Sequence, residues 1–276
     1  MNATALKVQT GRLKLSDEEY NLAEGVRNSN LGYALQSPAH YLEKLLNPKK
    51  PTPSQIKGSM FHSAALEPEK FKANYVVMPK FDKRTKAGKE AHEHWLIANH
   101  GKIEIPQDDY DDIQAMVEKL YEHPAACRLL SSGRAEESFF WNDPITGVLC
   151  KCKPDFKREG HIIVDIKSTE NASTSEFQKS IAYYSYHRQA AFYLDGISAV
   201  TGDKYDTFIL IAVEKTPPYG VAAYVLDEAT IDAGRHDYKR ALEIISKCQK
   251  ENRWPAYSSE VEPMNLPSWA WRVDYE

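Results

Sequence analysis

The stretch 147-GVLCKCKPDFKREGHIIVDIKST-169 decides how this chain folds. HIIVDIKST is rich in β-branched residues and alternates in polarity, so it reads as a strand. GVLCKCKPDFK reads as a second strand, and ESFFW at 137–141 as a third, with turns at Asn142–Gly147 and Arg158–Gly160. Asp165 and Lys167 are two apart in a strand and share one face, whereas Ile162, Val164 and Ile166 share the other and are expected in the core. A hairpin turning at Arg158–Gly160 sets Pro154-Asp155 opposite Val164-Asp165. Two carboxylates and one ammonium therefore converge at one sheet edge.

Two like charges held close are costly unless a cation neutralises them. Oxygen ligands of this kind suit Mg²⁺, with Mn²⁺ able to substitute. A lysine beside such a pair can orient or deprotonate a water and stabilise a phosphate under attack. A solvated hairpin with a surface ion pair would show the same local pattern, so the rest of the chain has to be read with it. Gln189 and Tyr193 lie four apart on one predicted helix face, where they could contact the lysine or a substrate backbone. His62 sits on a predicted upstream helix; it is either a structural histidine or an imidazole ligand to the metal. Glu136 and Glu137 open the strand before the hairpin, and one of them could add a supporting carboxylate while its neighbour faces solvent.

Working outward, SDEEY at 16–20 has a helix-start pattern, and residues 1–15 read as a loose arm or an edge strand. Asn28 to Leu46 reads as two short helices with a turn at Ser37-Pro38. Further helices are expected over Ser54–Ala65, 90–99, 107–122 and a short segment to Leu130. A long helix is expected from Thr174 to Ile197, then strands TFILIAVEK and GVAAYVLD, then an amphipathic helix over 226–249. This is an α/β chain read as one domain: a mainly helical part (1–130), an αβββαβ core (131–250) and a Pro-broken tail (251–276) whose Trp254, Trp269 and Trp271 are expected to pack on the body. The run 79-PKFDKRTKAGKE-90 is basic and loop-like; Lys80, Lys83, Arg84, Lys86 and Lys89 either form a solvated loop or contact phosphate. Tyr183, Tyr184 and Tyr186 fit a core face at helical spacing, or could stack on bases.

Composition sets the outer bounds. The 276 residues are 42% hydrophobic and 27% charged, enough for a large core. The net charge of −4 argues against a coat-type DNA binder but allows an enzyme with a basic channel. No segment reaches the ~20 consecutive apolar residues that span a membrane, and the first twenty residues show no signal-peptide core, so a cytoplasmic location is expected. The four cysteines, at 127, 150, 152 and 248, form no C-x-x-C pair, so a zinc ribbon is not expected and the thiols read as reduced and partly buried.

Taken together, His62, Asp155, Asp165-Ile166-Lys167 and Gln189-x-x-x-Tyr193 resemble the RecB-type branch of the PD-(D/E)XK nucleases. More narrowly, three stretches resemble the RecE-type exonuclease domain. They are G-x-x-F-H-x-x-x-L-E-P-E-x-F at 58–71, R-T-x-A-G-K at 84–89 and W-x-D-P-x-T-G-x-L-C-x-C-x-P-D at 141–155. The resemblance implies a restriction-endonuclease-like core, a mixed sheet flanked by helices. It implies Mg²⁺-dependent hydrolysis of the 5′-ended strand at double-stranded DNA ends, leaving 3′ single-stranded overhangs. It also implies a ring-shaped homo-oligomer and a RecT-type single-strand annealing partner, with no membrane association. Carried over by position, His62, Asp155, Asp165 and the Ile166 main-chain carbonyl would bind metal, Lys167 would activate water, and Gln189 and Tyr193 would support the site. Arg84, Lys86 and Lys89 are candidates for the cationic pocket that a 5′-phosphate needs. A structure- or sequence-specific endonuclease, and a silent DNA-binding module with this fold, are the competing readings. The Cas4-like branch with an iron–sulfur cluster is disfavoured, because the C-terminal cysteine group it uses is missing.

Overall fold

A computed structural model describes residues 6–267 and Ala270. In chain order the elements are β1 (Gly11–Leu13), α1 (Asp17–Leu22), α2 (Asn28–Gln36), α3 (Pro38–Leu46), α4 (Pro53–Leu66), α5 (Pro68–Asn74), β2 (Tyr75–Val77), α6 (Lys86–Ala98), β3 (Ile103–Ile105), α7 (Gln107–Glu122) and α8 (Pro124–Leu129). There follow β4 (Gly133–Ala135), β5 (Ser138–Asn142), β6 (Leu149–Cys152), β7 (Phe156–Arg158), β8 (Ile162–Thr169), α9 (Thr174–Tyr183), α10 (Tyr186–Thr201), β9 (Thr207–Glu214), β10 (Val221–Val225) and α11 (Glu228–Glu251). Local chemistry sets many of the boundaries. Ser16 and Thr52 close capping boxes with Glu19 and Gln55. Ser37 ends α2 and caps α3, and Pro38 and Pro53 occupy first-turn positions where no N–H is needed.

Among the described residues the strands form three sheets, ordered β1-β5-β6, β10-β9-β8-β7-β4 and β2-β3. In the five-stranded sheet β8 runs parallel to β9 and the other pairs are antiparallel, which is the mixed sheet expected. Its two faces bury separate cores. Ile163, Phe208, Leu210 and Ala212 pack with the three-stranded sheet (Phe139, Trp141, Cys150, Cys152) and with α2, α10 and α11. Val164, Ile166, Ile211 and Val213 pack with α4 and α7 through Met60, Phe61, Ile113, Met116 and Leu120. The sequence reading gave β8 one core face; it has two, because helices cover both sides of a central strand. Both cores draw on the N-terminal helices.

The segment GVLCKCKPDFK is one extended run but not one strand. It splits into β6 and β7, which belong to different sheets. The ladder against 133–142 nevertheless keeps a single register: Gly133 faces Arg158, Ala135 faces Phe156, Phe139 faces Cys152 and Asn142 faces Leu149. It is therefore a long hairpin, turned at 143–147 and bent where 136–137 meets 153–155. At the bend Pro154 has no N–H to give to a ladder, and Glu136 takes a left-handed conformation (φ 55°). One backbone bond survives there, Glu136 N–H to Asp155 C=O at 3.2 Å.

Other boundaries also differ from the sequence reading. The helix expected from Thr174 to Ile197 is two, α9 and α10, because Ser185 sits in the left-handed region at φ 54°. No Gly or Pro marks that break. Lys86 and Lys89 lie on α6 rather than in a loop. The 1–15 arm contributes the edge strand β1, paired with β5, and residues 1–5 lie outside the described residues. In the tail, Trp254 stacks on Tyr41 with ring centroids 5.6 Å apart, while Trp269 and Trp271 lie outside the described residues.

The start of α10 is pinned by close approach. A Cβ on Gly234 of α11 would come within 2.1 Å of the His187 carbonyl oxygen. Gly234→Ala is therefore expected to cost about 1–3 kcal/mol of stability through overpacking, although alanine is the better helix former by about 1 kcal/mol. Urea unfolding should show a lower midpoint; an unchanged or raised midpoint contradicts this packing.

Candidate active site

The site lies where the long hairpin bends away from β8. β7 pairs β8 only over Ile162–Val164, so the edge of β8 beyond Val164 has no strand neighbour on that side. Asp155, the residue immediately before β7, fills the vacated position. Its Oδ2 accepts the Ile166 N–H at 2.7 Å and faces Nδ1 of His62 at 3.2 Å. In an extended strand a residue's N–H and C=O point to the same side, so the Ile166 carbonyl also faces this open edge. His62 reaches the site from the third turn of α4, whose Phe61 and Ala65 are buried in the core.

Glu136 stands across the ladder from Asp155. The donor atoms of His62, Glu136 and Asp155 all lie within 4.8 Å of one another. One imidazole and two carboxylates at that spacing fit a divalent cation. Of the two glutamates left open by the sequence, Glu136 faces the site. Glu137 turns to the opposite side, near Arg134 at 3.4 Å, Arg12 at 3.7 Å and Lys157 at 3.8 Å. A second row of charge holds Glu136 in place: Lys153 pairs with it at 2.8 Å and also with Asp17, and Lys70 bridges Asp17 at 2.7 Å and Glu67 at 2.8 Å.

Asp165 and Lys167 share the other face of β8, toward α10. They form an ion pair, and Gln189 clamps both: its Nε2 donates to Asp165 Oδ2 at 2.7 Å and its Oε1 accepts from Lys167 Nζ at 3.0 Å. Asp165 thus sits beside the His62–Glu136–Asp155 group with its carboxylate committed to Lys167 and Gln189. The kink at Ser185 aims this clamp, because the Ser185 carbonyl starts α10 by accepting the Gln189 N–H at 3.2 Å. Tyr193 lines the same cleft one turn on, its hydroxyl held protonated by burial. Tyr186 lies under Lys167, with Nζ 4.7 Å from the ring centroid.

The electrostatics of the site follow from crowding carboxylates in a buried place. Burial and the neighbouring Asp155 push Glu136 up to about 7, against the pull of Lys153. Burial and Asp155 likewise raise Asp165 to about 6, against Lys167. Burial also works against the ionised forms of Asp155 and His62, but their mutual attraction outweighs it and holds Asp155 below and His62 above their ordinary values. Burial disfavours the Lys167 ammonium too, yet Asp165 and Asp155 overcome it and keep it charged.

The cleft, of about 750 Å³, is lined by His62, Glu136, Gln189 and Tyr193, with Arg27, Lys70 and Lys153 as its cations. Arg84, Lys86 and Lys89 are not among its lining residues. They are exposed on and before α6; Arg84 pairs with Asp82 at 2.9 Å and Lys86 approaches Glu90 at 3.8 Å. The expected core role of Tyr183 and Tyr184 also fails, since they are 82% and 59% exposed. Cys150, Cys152 and Cys248 are buried free thiols and Cys127 is an exposed one, none of them among the residues lining the cleft.

Residues 28–267 match the family described as a PDDEXK-like domain of unknown function (DUF3799). The chain belongs to this PDDEXK-like family. Among solved structures, a protein from Eubacterium rectale, described only provisionally as an exonuclease, is similar over 92% of this chain and 97% of its own, with 14% identity and a TM-score of 0.59. A phage-related exonuclease from Haemophilus somnus 129PT is similar over 61% of this chain and 85% of its own, with 13% identity and a TM-score of 0.35. At such identities the first likeness speaks for the fold, and the second carries no weight here. No curated protein matches the chain. Among the described residues no helix is long and apolar enough to cross a membrane.

The crowding of carboxylates has a measurable consequence in metal-free protein. Glu136 is raised from 4.5 to about 7, Asp165 from 3.8 to about 6, and His62 is raised from 6.5. In each case the folded chain binds more protons than the unfolded chain between the two values, so stability falls as pH rises through that window. The unfolding free energy from urea titrations in a chelator should therefore fall between about pH 5 and about pH 7.5, by an amount on the order of 1–3 kcal/mol. Glu136→Gln should flatten the slope; a mutant slope equal to wild type contradicts the assignment of Glu136 to the cluster.

Proposed function

We propose that this protein is a divalent-metal-dependent deoxyribonuclease that hydrolyses the 5′-ended strand of duplex DNA from its end. The observation that carries this reading is that the His62–Glu136–Asp155 donor set and the Asp165–Lys167–Gln189 clamp stand side by side at the floor of a cleft that His62, Glu136 and Gln189 line. Mg²⁺ in the donor set would polarise the scissile phosphate and lower the pKa of water beside it. The residues themselves hold the reactants. Asp155 fixes its own carboxylate on the Ile166 N–H, so it presents an oriented acceptor without reorganisation. Lys167, anchored by Gln189, is placed to donate to the attacking water or to a non-bridging phosphate oxygen and to offset charge as it builds. Asp165, balanced against Lys167, is the neighbouring carboxylate that would accept the proton the attacking water gives up.

The finer parts of the reading rest on the RecE-like motifs and on the charge of the cleft. Among the described residues Arg27 lines the cleft with no carboxylate within salt-bridge distance, its guanidinium touching only the Asn21 side-chain oxygen at 3.0 Å. It precedes α2, whose first residues Asn28 and Ser29 also line the cleft, so helix-end N–H groups reinforce a preference for an anion. This takes over the role of 5′-phosphate pocket first considered for Arg84, Lys86 and Lys89. A closed homo-oligomer threaded by DNA and a RecT-type annealing partner complete the proposal, the first supplying processivity and the second using the 3′ overhang.

An end-labelled linear duplex tests the reaction. Wild type should release 5′-terminal nucleotides with Mg²⁺ and none in chelator, and should leave covalently closed circles intact. Lys167→Ala, Asp155→Ala and Asp165→Ala should each lower the rate by about 10³-fold or more, several kcal/mol of transition-state stabilisation. Near-wild-type turnover by folded Lys167→Ala contradicts the mechanism, and nicking of closed circles favours an endonuclease. Arg27→Ala should remove any preference for a 5′-phosphorylated over a 5′-hydroxyl end; a preference retained in full assigns the phosphate pocket elsewhere.

A further inference from the structure

Two side chains in contact with Lys167 line different grooves. Gln189, which binds its ammonium, lines the cleft described above, and Tyr186, which lies under it, lines a second groove of about 750 Å³. Gln55 and Gly58 of α4 line both, so the grooves flank the site on either side of one helix. Along the second groove the rings form a ladder leading away from Lys167. Tyr186 stacks on Tyr184 (centroids 5.6 Å, planes 23° apart), and Tyr184 meets Tyr183 edge-on at 4.9 Å. Tyr183 and Tyr184 are 82% and 59% exposed. They flank the Ser185 kink, where a left-handed residue interrupts the helix and turns consecutive rings outward.

Adjacent exposed aromatic rings beside the site form a contiguous apolar patch, the kind of surface feature that marks a binding site. We infer that Tyr183 and Tyr184 form a stacking platform for unpaired bases of the DNA strand that crosses Lys167. This rests on the nuclease reading and adds where the strand lies. A base has a flat π-face that any such ring can cover, whatever its identity, so the platform suits a site that must pass every sequence. The charges in the groove agree. Lys179 pairs with Glu176 at 2.6 Å and Lys215 with Glu170 at 2.9 Å, so positive charge is locally offset and the rings, rather than phosphate attraction, dominate recognition. Binding here should accordingly show a shallow salt dependence compared with a purely basic groove.

The test uses a short single-stranded DNA carrying 2-aminopurine, titrated with the full chain in chelator, where hydrolysis is off. Wild type should quench the probe as the base stacks. Tyr183→Ala and Tyr184→Ala should each weaken binding by about tenfold, and the double variant should abolish quenching. Tyr183→Phe with Tyr184→Phe should restore both, because only the ring face is needed. Unchanged affinity and quenching in the double alanine variant overturn the platform, as does wild type that fails to quench. A double variant that quenches normally but sediments as a smaller species would assign the rings to contact between copies and also overturn it. Hydrolysis of a linear duplex by wild type is measured alongside. If wild type hydrolyses while the alanine variants match it in binding and quenching, the platform alone is wrong. If wild type quenches through these tyrosines but does not hydrolyse, the nuclease reading fails and the platform stands.

Discussion

The bond from the Ile166 N–H to the Asp155 carboxylate is the constraint on which the site depends. It sits where a ladder partner for β8 would be if β7 continued. By replacing a strand with a side chain at that point, the fold satisfies a buried backbone donor that would otherwise cost about 1–3 kcal/mol. It also brings a carboxylate to the centre of the molecule, 92% covered by the protein around it, since only 8% of Asp155 is exposed. A buried anion of this kind needs company, and the fold supplies it in layers: His62 from α4, Glu136 from across the bend, and behind them Lys153, Asp17 and Lys70.

The bend explains why these groups meet. A straight hairpin would have carried residues 133–142 and 149–158 along one sheet, with Glu136 and Asp155 as an ordinary cross-strand pair. Two acids directly opposite are destabilising in a sheet. Here the ladder opens at that pair, and its two halves join different sheets. The opening leaves room for a cation between the acids, and Pro154 together with the left-handed Glu136 keeps it open. On the far side of β8, the kink at Ser185 performs a similar task for Gln189. Two local departures from regular geometry thus aim two halves of one site, a pattern expected where strain is retained for chemistry rather than for stability.

Much of this was legible in the sequence, for identifiable reasons. Alternation in HIIVDIKST placed Asp165 and Lys167 on a common face, and the Arg158–Gly160 turn set Asp155 against them; the register runs as that turn requires. Helix starts at Ser16 and Ser37-Pro38 were readable from those residues, whereas α4, expected from Ser54, begins at Pro53 behind a Thr52 cap. Glu136 was harder. Counting back from the DPITG turn at 143–147 does put it opposite Asp155, but adjacent acids in a strand face opposite ways, and only the conformation at the bend selects between Glu136 and Glu137. The Ser185 kink had no Gly or Pro to signal it, so Tyr183 and Tyr184 read as one face of a continuous helix. The basic run at 80–89 could not be placed from sequence, because its spacing says nothing of where α6 lies relative to the cleft. Arg27, an isolated cation before a helix, carried no pattern at all.

We propose that the bend is a divalent-cation site shared by His62, Glu136 and Asp155. Crystals grown with Mn²⁺ and recorded at a wavelength where manganese scatters anomalously would test it most directly. An anomalous peak is expected within about 2.5 Å of donor atoms from all three side chains, weakened or lost in crystals of Glu136→Gln. Manganese bound elsewhere with this cluster empty, or a full-height peak in the Glu136→Gln protein, would contradict it.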